Sequence, residues 1–308
     1  MAAIQSSPTY MVAYDGSKHA RAAIEFLCDI CEPLSSERKI KVHLLTVFTP
    51  RQIKDHDMLN TNLVQAQQYM QGKHCFDVSS DLILGYPSEK ILEFSEQLNP
   101  DMILVGAKGL RSTLGILLGG VAQQVVEYSC CPVYVARAPY HKTNHVLLVM
   151  DSSTYSKQAL DYLIKLHLPT SVRTSVLHVM SPMPLVTIPS SSEIWPSRID
   201  QIPLPKIRSA ETVDEIAWLE EEEKLANELL DFATSSLKSS GHAVERVLLR
   251  GDAATEILEF SKEKEVDLII SGSRGLSQLR GLLLGSVSRK LVHYAGCSVL
   301  IVKSYNEN

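Results

Sequence analysis

Val266-Asp-Leu-Ile-Ile-Ser-Gly-Ser-Arg-Gly275 joins a short apolar run to a pair of glycines, and Gly285-Ser286 follows after nine intervening residues. The run Val266–Ser271 is rich in β-formers and reads as a buried parallel strand. The hydrophobic segment from about Val287 reads as a helix. The glycines therefore lie between the C-terminal end of a strand and the N-terminus of a helix, where open α/β sheets bind ligands. Glycine permits φ > 0 and lets a ligand approach with no Cβ in the way. Free N–H groups of such a loop and of the helix start converge on one spot, which suits a phosphate. Ser286 is placed either to cap the helix or to donate its hydroxyl to a phosphate oxygen. Alone, the loop also reads as simple turn and cap glycines.

The pattern occurs twice. Gly106-Ala-Lys-Gly109 follows the run Asp101-Met-Ile-Leu-Val105, and Gly119-Gly120 follows after the same nine intervening residues. Both copies have the spacing G-x-x-G-x9-G, and both come after an Asp-led apolar strand. This recurrence favours the phosphate reading over that of simple turn glycines.

Working outward, strands and helices alternate through both halves. In the first half the expected strands are 10–14, 40–48, 75–84, 101–105 and 132–136. Helices are expected at about 17–31, 63–70, 87–98 and 121–128. The series restarts with strands at 145–150, 172–179, 243–249, 266–271 and 298–302. Helices are expected at about 155–167, from Trp218 onward, up to Lys264, and from Val287. Alternation of this kind implies parallel sheets with right-handed crossovers. The second half carries an insertion at about 181–211, rich in proline, which reads either as a binding loop or lid or as a disordered spacer. The domains are expected at 1–140 and 141–308.

Each repeat offers two chemical features at the sheet crevice. Asp15 or Asp151 ends the first strand, and the glycine loop ends the fourth. A carboxylate there accepts hydrogen bonds from ribose hydroxyls or a base amine, and the loop holds phosphates; together they describe a mononucleotide site. The competing reading of each aspartate is a helix N-cap.

Composition excludes other classes. The chain has 308 residues, 45% hydrophobic and 21% charged, with a net charge of −5. That charge and the lack of a basic stripe argue against nucleic acid as a partner. No apolar stretch reaches about 18 residues, so no membrane span is expected. The first residues show no signal-peptide pattern, and six cysteines fit a reducing compartment, so a cytoplasmic location is expected. Cys28 and Cys31 have redox-motif spacing but share a helical face, and core packing is the preferred reading. The ten histidines form no cluster with metal-ligand spacing.

The sequence resembles the universal stress proteins in their tandem two-domain form, over nearly its whole length. The resemblance rests on the aspartate after strand one, Gly85 and Gly251 after strand three, and the Asp267–Gly272 strand. The glycine signature and the closing runs Cys131–Ala136 and Cys297–Val302 complete it. It implies two Rossmann-like domains of the adenine nucleotide alpha hydrolase type, each a five-stranded parallel sheet with helices on both faces. It also implies binding of ATP or AMP, with Mg2+ on the phosphates, and a role in stress response.

Carried over by position, the second copy's site residues are Asp151, Val179, Gly272, Arg274, Gly275, Gly285, Ser286, Val287 and Ser288. The aspartate and the strand-two valine contact the nucleoside; the loop contacts ribose and phosphates. The first copy keeps Asp15, Val47, Gly106, Gly109 and Gly119 but has Gly120 opposite Ser286 and Ala122 opposite Ser288. Two hydroxyl donors are missing there, so weaker binding is expected.

A second function class is a non-nucleotide interaction module of the same fold. An enzyme is not expected, slow ATP hydrolysis apart: no P-loop or pyrophosphatase signature is present, and no base, nucleophile or metal carboxylate pair converges on the loop. Finally, the fifth strands, Val133–Ala136 and Val299–Val302, are apolar and free of interior proline. Left as exposed edges they would invite aggregation. They are expected to pair with each other, making an internal pseudo-dimer, with a homodimer of the whole chain as a further possibility.

Overall fold

A computed structural model describes residues 7–31, 39–73, 75–110, 118–166, 168–169, 171–182, 213–275 and 283–303. The first half contributes β1 (Thr9–Ala13), α1 (Lys18–Cys31), β2 (Ile40–Phe48), α2 (His56–Gln71), β3 (Phe76–Leu84), α3 (Pro87–Leu98), β4 (Met102–Gly106), α4 (Gly120–Tyr128) and β5 (Val133–Ala136). The second contributes β6 (His145–Val149), α5 (Thr154–Lys165), β7 (Arg173–Met180), α6 (Val213–Ser239), β8 (Ala243–Arg250), α7 (Ala253–Glu263), β9 (Leu268–Gly272), α8 (Ser286–Tyr294) and β10 (Ser298–Val302).

All ten strands form one sheet, in the order β3-β2-β1-β4-β5-β10-β9-β6-β7-β8. Each half is a parallel 3-2-1-4-5 arrangement, so each has a topological switch point between its first and fourth strands. The halves meet where β5 and β10 run antiparallel, with Val135 opposite Val299 and Tyr134 opposite Leu300. Tyr134 and Leu300 are fully buried, and the Tyr134 ring stacks on Phe26 with centroids 3.9 Å apart. Pairing these strands with each other satisfies the backbone groups that an apolar edge would leave open.

Helices cover both faces. Leu27, Leu63, Leu160 and Leu230, from α1, α2, α5 and α6, belong to one core layer. Ile91, Val125, Ile257 and Leu291, from α3, α4, α7 and α8, belong to the other. The aspartates that lead β4 and β9 have a structural task at the opposite end of the sheet from the glycine loops. Asp101 Oδ2 accepts from the Thr9 N–H at 2.8 Å, and Asp267 Oδ2 accepts from the N–H groups of Asn144 and His145. Each thereby sets its strand against its neighbour.

Two helices differ from the sequence expectation. The helix expected at 63–70 begins earlier: a 3-10 turn (Pro50–Asp55) leads directly into α2. Gln52 reaches back to accept from the Thr49 N–H at 3.0 Å, and Leu59, Leu63, Ala66 and Met70 supply a buried stripe. The polar run before Leu59 hides this start from a periodicity reading. Helix α6 begins at Val213 rather than Trp218. Most of the proline-rich insertion lies outside the described residues.

The link between the halves is fastened to α1. Tyr140 donates its hydroxyl to Asp29 Oδ2 at 2.6 Å, and the Thr143 N–H donates to the same oxygen at 3.0 Å. Burial and the adjacent Asp29 carboxylate push the Tyr140 phenol well above its ordinary range.

Candidate functional site

The second-half cavity opens at the switch point between β6 and β9 and has a volume of about 240 Å³. Asp151 and Val179 stand at the ends of β6 and β7; Gly272, Arg274 and Gly275 form the loop after β9; Gly285, Ser286, Val287 and Ser288 open α8. All nine line this one cavity. In the first half, Asp15, Val47, Gly106, Gly109, Gly119 and Gly120 line the equivalent cavity of about 380 Å³. The parts of the two glycine loops between these residues, 111–117 and 276–282, lie outside the described residues.

Asp15 clasps its loop and Asp151 holds the turn before α5; neither caps a helix. Asp15 Oδ1 accepts from the Ser17 N–H at 2.9 Å, and its Oδ2 accepts from the Leu110 N–H at 3.0 Å. Asp151 Oδ1 accepts from both the N–H and the hydroxyl of Ser153. The caps are the serines two residues on: Ser17 Oγ accepts from the Ala20 N–H, and Ser153 Oγ from the Ser156 N–H, each at 3.1 Å. The intervening residue must turn left-handed. It is Gly16 (φ 78°) in the first half and, less comfortably, Ser152 (φ 63°) in the second.

The loop glycines serve close approach, not positive φ. The described ones all lie outside the left-handed region. A Cβ on Gly272 would meet the Tyr155 carbonyl carbon at 2.7 Å, so this glycine lets α5 start against the strand. Gly106 does the same for α1, its Cβ position being 2.9 Å from the Ala20 nitrogen. Gly109 and Gly275 leave room for the aspartates, at 2.8 Å from Asp15 Oδ2 and 2.7 Å from Asp151 Oδ2. Gly120 has open space around it.

The serines also need correction. Gly285 is the N-cap of α8, and Ser286 is its first helical residue. Ser288 is buried and donates its hydroxyl to Gly272 O at 2.7 Å, which ties the helix to the loop and commits its proton. Of the two hydroxyl donors expected from the sequence, Ser286 therefore remains.

The helix starts carry the electrostatic argument. Helices α5 and α7 are capped by the side chains of Ser153 and Asp252. Helices α4 and α8, which start at the cavities, are preceded by Gly119 and Gly285 and have no side-chain cap. Their first N–H groups have no intrahelical acceptor, and the helix dipole adds partial positive charge. Glycine at this cap leaves these donors without a side-chain acceptor.

Sequence reasoning missed the apolar wall. Ala253 and Ile257 at the start of α7, and Pro87 and Ile91 at the start of α3, close the cavities from the side. Gly251 and Gly85, just before these helices, were the available signal. Arg274 stands beside Tyr155, its Nη1 3.3 Å from the phenol oxygen. In the first half the same places hold Lys108 and His19.

A fold of two parallel 3-2-1-4-5 halves, each with an aspartate and a glycine loop facing one cavity at its switch point, defines a tandem α/β protein of the Rossmann-like class. The model of the universal stress protein family matches residues 9–137 and 142–303, and the chain belongs to that family. The universal stress protein YxiE of Bacillus subtilis is 34% identical over 160 residues, which is 52% of this chain and 99% of that protein. Among solved structures, a universal stress protein from Archaeoglobus fulgidus superposes with a TM-score of 0.61 at 19% identity, covering 98% of each chain. A putative universal stress protein from Pseudomonas aeruginosa gives 0.65 at 12% identity, covering 98% of this chain and 95% of that one. Among the described residues no helix is long and apolar enough to cross a membrane.

Proposed function

We propose that the chain is an adenine-nucleotide-binding stress-response protein, taking ATP or AMP chiefly in the second domain. The observation that carries this reading is the uncapped start of α8 at the cavity that Asp151 and the glycine loop line. Its N–H groups and the Ser286 hydroxyl supply the donors a phosphate needs. Asp151 and Val179, across the same cavity, fit the ribose and base. Asp151 is the only carboxylate among the described lining residues, so any Mg2+ would arrive on the nucleotide's own phosphates.

The first domain offers the same backbone donors with Gly120 in place of Ser286 and binds more weakly. The proposed role is sensing or storage without evolved turnover. The work is proposed to be cytoplasmic. Mass spectrometry of ligand released from purified protein, followed by calorimetric titration with AMP and ATP, tests the reading. Absence of adenine nucleotide in both experiments overturns it, and a steady-state ATPase assay showing rapid turnover would replace it with an enzyme.

A further inference from the structure

A second cavity lies where the domains meet, on the other side of the glycine loop from the nucleotide pocket. Its volume is about 620 Å³, within the range of small-molecule sites. One wall is the C-terminal rim of the second domain: Arg274, Lys303 just after β10, and Tyr155 at the start of α5. The other is the far end of the first domain, with Glu127, Cys130 and Glu96 among its residues. The antiparallel β5–β10 join brings these two rims together.

Lys303 is 8% exposed, and its ammonium donates to the Glu127 carbonyl at 3.1 Å, not to a carboxylate. Arg274 donates to the Tyr155 hydroxyl. Among the described residues neither forms an ion pair. The Glu127 carboxylate is taken by Arg289 at 3.2 Å. Glu96 and Glu127 also line the cavity, and the Glu127 charge acts on the Lys303 amine, but among the described residues no carboxylate is in contact with either cation, which leaves both able to take an anion.

Pseudo-symmetry supplies an internal comparison. The equivalent cavity at the other side of the join, about 680 Å³, is lined by Arg137 in the place of Lys303. There the guanidinium is spent on the Val292 and His293 carbonyls, and Glu259, Glu265 and Asp267 bring negative charge. The same architecture thus yields one cavity in which two cations face two carboxylates and one in which Arg137 and Lys262 face three.

We infer that the Arg274–Lys303 cavity is an anion site for a small phosphate-bearing molecule, adjoining the nucleotide pocket and sharing Arg274 with it. Lys303 and Arg274 hold the oxyanion, the Tyr155 hydroxyl donates to it, and the remaining volume takes the rest of the molecule. Burial and the nearby Arg274 lower the Lys303 amine to about 8, so binding weakens as pH rises through that value. Glu127, Cys130 and Cys131 also face the amine and act in the opposite sense.

The test titrates inorganic phosphate and glycerol 3-phosphate into the full chain, its Lys303→Met variant and its Gly285→Val variant. Fold is checked by circular dichroism. The expected result is binding that survives in Gly285→Val and falls at least tenfold in Lys303→Met. Tighter binding of glycerol 3-phosphate identifies an ester as the ligand, and equal binding identifies the free ion; both support the site. Unchanged affinity in Lys303→Met, loss in Gly285→Val alone, or no binding by the unaltered chain overturns it. AMP titration of the same variants reports on the nucleotide pocket separately, because Lys303 does not line that pocket.

Discussion

Arg137 and Lys303 occupy equivalent positions, each one residue beyond its domain's last strand, and each reaches across the join to the end of the other domain's last helix. Arg137 donates to the Val292 and His293 carbonyls near the end of α8, and Lys303 donates to the Glu127 carbonyl near the end of α4. Cations at helix C-termini are favoured by the dipole and satisfy carbonyls that lack partners. The exchange helps bind the two domains into one unit.

The Lys303 amine gives this contact a pH signature. Its value is lowered from the ordinary 10.5 to about 8, chiefly by burial. Between those limits the unfolded chain holds more protons at this site than the folded one, so the lysine makes stability rise with pH there. Below about pH 7 its contribution is flat. Urea midpoints measured from pH 7 to 10.5 should show a rise that is smaller in Lys303→Met. Equal slopes in the two proteins would contradict it.

Gly275→Val should weaken AMP binding by at least tenfold. A Cβ at this position would stand 2.7 Å from Asp151 Oδ2 and displace the carboxylate from the cavity. Asp151→Ala should act in the same direction. Calorimetry on both variants, with circular dichroism to confirm folding, checks this; unchanged affinity in both would move the nucleotide elsewhere.

Exchanging one side chain between the domains should shift their affinities. A hydrogen bond to a charged phosphate contributes about 1.5–3 kcal/mol, or roughly tenfold to a hundredfold in affinity. Ser286→Gly should therefore weaken the second site. Gly120→Ser should strengthen the first, since the space around Gly120 is open. A two-site titration that leaves both affinities in place would rule out the hydroxyl as the source of asymmetry.

Ser152→Gly should stabilise the fold by about 1 kcal/mol, because Ser152 holds a left-handed conformation (φ 63°) that glycine adopts without strain. Gly16→Ala, at the equivalent turn with φ 78°, should destabilise it by a similar amount. Thermal unfolding of the two variants measures both, and a lower midpoint for Ser152→Gly would sink the argument.

Much of this architecture was legible because the chain repeats itself. Two copies of one strand-loop-helix pattern fixed the alternation, and the apolar fifth strands announced their own pairing. The grouping of Asp151, Val179 and the glycine loop around one cavity follows from switch-point topology, which alternation already implies. What stayed hidden depends on contacts between distant segments. The need for glycine at 272 comes from the Tyr155 backbone, and the Ser288 proton goes to Gly272, a partner no local spacing reveals. The early start of α2 was masked by polar residues whose neighbours alone are buried.

Antiparallel pairing of β5 with β10 turns one half of the molecule upside down relative to the other. The C-terminal rims of the two half-sheets, and with them the two switch-point cavities, open at opposite ends. A partner seated over one rim leaves the other uncovered. The molecule is in that sense two-headed.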